Sequence, residues 1–242
     1  MKKTLILLAG ITLTAGLSAQ AQSTLADWTF ETSLPSGTGQ NSGSYNPESG
    51  IESATATATG SHASASTAYS SPAGNGSAHS FSANNWGTGD YYQIELSTTG
   101  YSSIMLTFDQ TSSSTGPGTF QLEYSTDGTH FSTIGSAYAV LPNGTSPNAA
   151  WSTATYVAAY TFGAMNLSTL TSEAVDNEGQ LYIRFVDLGG ASASGGTLGT
   201  AGTDRLDNID VTGVALVPEP SSVALLGIGG MAFLAKLRRN KK

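Results

Sequence analysis

Alternation of apolar and polar residues with a period of two dominates the middle of the chain. Ile104, Leu106 and Phe108 alternate with Met105, Thr107 and Asp109, and Phe120, Leu122 and Tyr124 with Gln121, Glu123 and Ser125. Tyr92, Ile94 and Leu96 face away from Gln93 and Glu95, and Leu181, Ile183 and Phe185 away from Tyr182 and Arg184. Such a period places one face of each segment against a core and the other toward water, which is the signature of β-strands. Further strands are predicted at Leu25–Glu31, Ser53–Thr59, Ala63–Tyr69, Ala154–Thr161 and Ile209–Leu216. Trp28 and Phe30 share a face of the first and belong to the core. No amphipathic helix stands out between the two ends of the chain. Roughly ten short strands separated by Gly, Ser and Asn read as an all-β domain, an antiparallel β-sandwich or jelly roll.

Two stretches depart from this pattern. Pro35 to Gly50 is rich in Gly, Ser, Asn and Pro and reads as a long surface loop. Ser53 to Thr67 alternates Ala with Ser, Thr or His, and its parity slips around Gly60-Ser61-His62, as a bulge or hairpin would require. Thr55, Thr57 and Thr59 form a row that reads as an ordinary polar strand face.

The ends carry a different pattern. Lys2 and Lys3 precede the apolar run Leu5–Leu17, and Ala19-Gln20-Ala21 follows it. A basic start, a run too short to cross a bilayer comfortably and a small-x-small site describe a secretory signal peptide. Ala19 and Ala21 are the residues signal peptidase reads, and cleavage after Ala21 leaves Gln22 first. At the other end Val217-Pro218-Glu219-Pro220-Ser221-Ser222 leads into an uncharged stretch ending at Ala235, and then into Lys236, Arg238, Arg239, Lys241 and Lys242. An apolar helix followed by basic residues is a stop-transfer segment whose tail stays in the cytoplasm. Lys236 snorkels toward the interface if the apolar part is slightly short.

These three C-terminal parts, in this order, resemble the PEP-CTERM sorting signal of exosortase substrates in Gram-negative bacteria. The resemblance implies that Pro218, Glu219 and Pro220 form the recognition motif. It also implies that a transmembrane helix holds the protein in the inner membrane until an exosortase processes it, after which it reaches the cell surface or the exterior. The chain then divides into a signal peptide (1–21), a β-rich ectodomain (22–216) and a sorting signal (217–242). The fold is a β-sandwich flanked by an N-terminal signal helix and a C-terminal transmembrane helix.

Composition sharpens the picture once the ends are set aside. The 242 residues carry a formal net charge of −8, but seven of the nine Lys and Arg lie in the two addressing segments. From Gln22 to Val217 there are 16 acidic residues and only Arg184 and Arg205, a net of −14. A strongly acidic body disfavours nucleic acid and other anionic polymers. With no cysteine, disulfide frameworks, thiolate metal sites and cysteine nucleophiles are excluded.

Few residues in the body suggest chemistry. Ser125-Thr126-Asp127-Gly128-Thr129-His130-Phe131 resembles the Asp-box of sialidase-type propellers, one residue short between the Asp and the aromatic. Asp127-Gly128 between two strands suits a type I′ hairpin turn. Asp204, Asp207, Asn208 and Asp210 cluster before the last strand beside Arg205. They read as an Asx-type turn with Arg205 paired to a carboxylate, or as ligands of a Ca²⁺ ion. Strand alternation would put Asn208 and Asp210 on one face and Asp207 on the other. His62, His79 and His130 do not stand at metal-binding spacings, and no nucleophile elbow or phosphate loop occurs. Trp86 and Trp151 lie in loop-like sequence and are the candidates for exposed sugar-stacking rings.

Asn84-Asn85-Trp86, the stretch Asp90–Phe131 and Gly202–Asn208 are together similar to a recurrent β-rich ectodomain of PEP-CTERM proteins, a domain with no assigned activity. The sequence therefore points to an exported, non-catalytic cell-surface or extracellular-matrix protein delivered with exopolysaccharide. The alternative is a carbohydrate-binding module using exposed Trp and Tyr, with an enzyme acting on polysaccharide third.

Overall fold

A computed structural model of the protein describes residues 21–216. Ala19, the motif Pro218, Glu219 and Pro220, and the signal and transmembrane helices expected at the two ends lie outside the described residues. Within 21–216 the chain forms twelve strands: β1 (Gln22–Trp28), β2 (Gly37–Thr38), β3 (Thr57–Ser61), β4 (Ala68–Ser70), β5 (Phe81–Ala83), β6 (Tyr91–Leu96), β7 (Tyr101–Ser112), β8 (Thr119–Ser125), β9 (Ser132–Ala139), β10 (Thr161–Asn166), β11 (Leu181–Asp187) and β12 (Asp204–Ala215). A 3₁₀ turn (Ala158–Tyr160) and one helical turn, α1 (Leu167–Leu170), flank β10.

The strands pair antiparallel into two sheets. The larger runs β10-β7-β12-β5-β4-β2, with β1 also on β12, and the smaller runs β3-β6-β11-β8-β9. Ile104, Leu106 and Phe108 of β7 and Leu206, Ile209 and Val211 of β12 are buried, as are Tyr92, Ile94 and Leu96 of β6 and Leu181, Ile183 and Phe185 of β11. Rings meet across the layers: Phe108 lies edge-on to Phe185 at 4.9 Å, and Phe81 lies 4.6 Å from Tyr92. This is the two-layer packing of a β-sandwich, and the period-two positions supply its interior.

Four predicted strands shift or fail. Residues 53–55 form a turn and only Thr57–Ser61 pairs with β6, so Thr55 stands apart from Thr57 and Thr59. Residues 154–160 are loop and 3₁₀ turn, with the strand beginning at Thr161. β4 keeps only the end of Ala63–Tyr69. Phe30 lies beyond the end of β1 in left-handed backbone (φ +56°), yet it remains fully buried like Trp28. The segment 35–50 is not a free loop: Asn41, Tyr45 and Ser49 bridge to Ser61, Ala58 and Asp27, and Tyr45 is buried. Gly50 is required there, because at φ +112° its Cα turns toward the Leu25 carbonyl, and a Cβ would stand 2.3 Å from that oxygen.

Candidate functional site

The four residues weighed as Ca²⁺ ligands do not converge. β12 bulges against β7 between Asp207 and Asp210, with Asn208 in left-handed backbone (φ +48°). The bulge sets Leu206 and Ile209 both inward, which breaks the alternation expected from sequence and turns Asp207 and Asp210 outward together. Asp204 instead points between the sheets, where its carboxylate accepts from Gln110 Nε2 (3.0 Å) and Ser112 Oγ (2.8 Å). Arg205 donates to the Ala73 carbonyl at 3.4 Å and, among the described residues, pairs with no carboxylate within 4.0 Å. Among the described residues no group of three or more His, Asp or Glu side chains is arranged to hold a metal ion.

Instead, these acids fasten loops onto the outer side of the larger sheet. The Asp207 carboxylate accepts from the Asn75 backbone N–H (2.8 Å), Ser77 Oγ (2.6 Å) and the Asn208 N–H (2.9 Å). Asp109, its partner across β7, accepts from Asn75 Nδ2 (2.9 Å), Asn208 Nδ2 (2.7 Å) and Thr161 Oγ1 (2.5 Å). Asn75 also bonds the backbone of Val157 through both atoms of its amide. One asparagine thus ties the loop 71–80 and the loop 142–160 to two sheet carboxylates. Burial outweighs the three donors and pushes the Asp207 carboxyl up to about 7. Asp204 is likewise pushed well above the usual carboxylate range by burial.

Trp86 and Trp151 are not exposed platforms: both are buried, at 6% and 5% exposure. Asn85, in left-handed backbone, turns the chain so that the Trp86 indole passes beneath the sheet edge. There it donates to the Ala83 carbonyl and packs on His62 (4.2 Å), Tyr92 (5.0 Å) and Phe120 (5.4 Å). Trp151 packs edge-on to Tyr160 under the loop 142–160. In both places the ring area removed from water outweighs the loop-like local sequence. His62 is buried with Trp86, its Nδ1 3.4 Å from Asp90 and neither ring nitrogen hydrogen-bonded. Burial therefore lowers its pKa despite the carboxylate.

The exposed chemistry lies on the outer face of the smaller sheet. The register aligns Thr59, Gln93, Arg184, Glu123 and Thr133 in one row across all five strands. The Arg184 guanidinium carbon sits 4.0 Å from the Tyr91 ring centroid and 3.5 Å from that of Phe131, and its Nε donates to Gln93 Oε1 at 2.9 Å. Phe131 is delivered by the six-residue loop between β8 and β9. Asp127 accepts there from the Thr129 and His130 N–H groups (2.8 Å each) and from Ser125 Oγ (2.9 Å), and contacts His130 Nδ1 at 2.7 Å. Those bonds, from His130 above all, hold its carboxyl far below the usual range. Gly128 alone has a positive φ (+73°), so this is an Asx-type turn within a wider loop rather than the two-residue type I′ hairpin expected. Gly128 also lies flat against the Tyr182 ring, where a Cβ would come within 3.1 Å.

Sequence reasoning did not find this constellation. Its signal was present in the outward positions Gln93, Glu95, Tyr182 and Arg184 of two alternating strands, but their adjacency depends on β6 and β11 being neighbours. A shallow open depression of about 320 Å³ lies at the edge of the smaller sheet, lined by Glu52, Thr55, Leu96, Ser97, Gly179 and Gln180.

No curated protein matches the sequence. Two solved structures show a distant likeness. One is a non-crystalline cellulose specific carbohydrate-binding module, CBM28, at 12% identity and TM-score 0.33 over 59% of this chain and 79% of its own. The other is the K2 cleaved adhesin domain of Lys-gingipain, at 10% identity and TM-score 0.35 over 79% of this chain and 97% of its own. At these scores neither bears on function. Among the described residues no helix is long and apolar enough to cross a membrane. The decisive match lies beyond β12: residues 216–239 carry a PEP-CTERM protein-sorting motif, which marks the chain as an exported protein with a membrane-anchoring C-terminal region that an exosortase recognises and processes.

Proposed function

We propose that the protein is a non-catalytic component of the cell surface or extracellular matrix, sorted there by an exosortase. The observation that carries this reading is the sorting motif beginning at residue 216, immediately after the last strand of the sandwich. The burial of the carboxylates pushed furthest upward supports a structural use for them: Asp204 and Asp207 have no exposed surface, and their oxygens are taken by side chains and backbone of the same domain. The test is fractionation of cells expressing the tagged full chain. Wild-type protein is expected at the surface or with the extracellular polysaccharide. A variant with Pro218→Ala, Glu219→Ala and Pro220→Ala is expected to remain unprocessed in the inner membrane. Wild-type protein confined to the inner membrane, or a motif variant processed like wild type, would contradict the proposal.

A second reading, carbohydrate binding, is favoured by one specific observation. Tyr91 and Phe131, both partly exposed, cover a held arginine on the outer face of the smaller sheet, and Tyr182 is partly exposed two residues from it on the same strand face. The site this reading uses is therefore not that of Trp86 and Trp151, which are structural.

A further inference from the structure

We propose that the outer face of the five-stranded sheet, centred on Arg184 clamped between Tyr91 and Phe131, is a binding platform for an uncharged polysaccharide. The proposal rests on the carbohydrate reading and specifies its site and ligand class.

The clamp is the first observation. A long flexible side chain on a sheet surface ordinarily samples many rotamers, and fixing it costs entropy. Here two rings cover the guanidinium at 4.0 and 3.5 Å, and Gln93 Oε1 accepts a hydrogen bond from its Nε–H. Cation–π contacts of this kind hold the fork in place before any ligand arrives. Among the described residues neither Nη donates to a protein acceptor, and no carboxylate stands within 4.0 Å. The donors are prepared and unused.

The neighbours define what those donors suit. In the row across the sheet Arg184 lies between Gln93 and Glu123, and Glu95 stands on the same outer face beside Tyr182. Donors and acceptors therefore alternate along five strands, a span of about 19 Å at the usual strand spacing. Sugar hydroxyls both donate and accept, and the C–H faces of a pyranose are apolar, so alternating polar groups beside aromatic rings match them. A polyanion would meet both glutamates and the net charge of −14 between Gln22 and Val217, which repel it. A protein partner would favour a large apolar centre. Among the described residues none of the well-exposed large hydrophobic side chains belongs to a strand of this sheet.

The experiment uses the full chain purified in detergent and titrated with soluble neutral polysaccharides (glucan, mannan and galactan) and with two anionic ones, alginate and pectate. Binding to at least one neutral polymer is expected. Arg184→Ala should weaken it about 10- to 100-fold, the loss of charged hydrogen bonds. Arg184→Lys should weaken it less, and Glu123→Gln by several-fold. Thermal melts show that each variant is folded. As a measurement independent of the variants, hydrogen exchange of the wild type with bound oligosaccharide should show protection in β6, β11 and the loop 126–131. Neutral binding unchanged by all three variants, with protection elsewhere, overturns this site and leaves the carbohydrate reading standing. Binding to alginate or pectate alone overturns the ligand class. Binding to no polysaccharide overturns both the site and the reading.

Discussion

Asp207 gives the sandwich a distinctive dependence on pH. Its carboxyl titrates near 7 in the fold, against an ordinary value of 3.8, because burial beside Asp109 outweighs the donors from Asn75, Ser77 and Asn208. Between those two values the folded protein holds a proton that the unfolded chain has released. Stability must then fall as pH rises from about 4 to 7, by up to about 1.4 kcal/mol per pH unit and about 4 kcal/mol in total. Other groups titrate in the same window, so the wild-type curve alone does not isolate this one. His62, held neutral by burial, acts in the opposite sense and lowers stability as pH falls below 6.5. Asp207→Asn removes one titration and leaves the rest. The amide also places an N–H₂ among groups that donate, which lowers stability at every pH by about 1–3 kcal/mol. Urea unfolding of wild type and variant at intervals from pH 4 to 7.5 separates the two effects. The gap between the curves should close as pH rises, reverse between about pH 4.5 and 6, and leave the variant the more stable protein at pH 7. Parallel curves over that range would refute the argument that burial keeps Asp207 protonated.

Three further outcomes are expected. Gly50→Ala places a Cβ against the Leu25 carbonyl in backbone that only glycine adopts readily, so it should cost at least about 2 kcal/mol. In a domain of this size that lowers Tm by roughly 4–8 °C, read by calorimetry. Trp86→Ala removes a buried ring packed on His62, Tyr92 and Phe120 and should cost about 3–5 kcal/mol in urea unfolding; a loss below 1 kcal/mol would mean that the indole is not buried. The His62 imidazole, followed by NMR, should titrate below 6.5, and a midpoint above that value would show that Asp90 dominates burial.

The legible parts of the fold are the strands whose inward positions are large. β6, β7, β8 and β11 announce themselves through Tyr92, Ile94, Phe108, Phe120, Ile183 and Phe185, since only a two-sided environment sorts such residues by parity. β9 does not, because as an edge strand it buries only Ile134 and leaves most of Ser132–Ala139 in water. The start of β12 is hidden for the opposite reason. Asp204 and Asp207 are polar, yet they sit at fully buried positions, and only distant partners such as Gln110 and Asn75 make that tolerable. The misplaced tryptophans show the same limit, because local sequence around Trp86 and Trp151 describes a loop and says nothing of what the loop covers. The arginine platform was half visible: outward Tyr182 and Arg184 follow from alternation, but Phe131 arrives from a turn whose geometry depends on the bonds that Asp127 makes.

The sorting motif and the fold meet in β12, and this junction keeps the anchor apart from the platform proposed on the other sheet. β12 pairs along its length with β7, and on its other edge first with β5 and then with β1. Its last residues are held by Tyr101, by Ser102 and by Gln22, which pairs with Val214. Any pull transmitted from residues 216–239 therefore acts along a central strand, where ladder bonds on both edges must break together rather than peel in turn as at an edge strand. The strand ends at Ala215 and the Leu216 N–H bonds the Gly100 carbonyl, so a cut beyond Leu216 would remove no backbone bond from the sandwich. The platform around Arg184 belongs to the other sheet and faces outward, separated from β12 by the full thickness of the core. A ligand held there loads β6, β8 and β11, and the anchor loads β7, β12 and β1. On that proposal ligand and anchor load different sheets, which are joined by the buried core and by the segment 35–50 that bridges to strands of both.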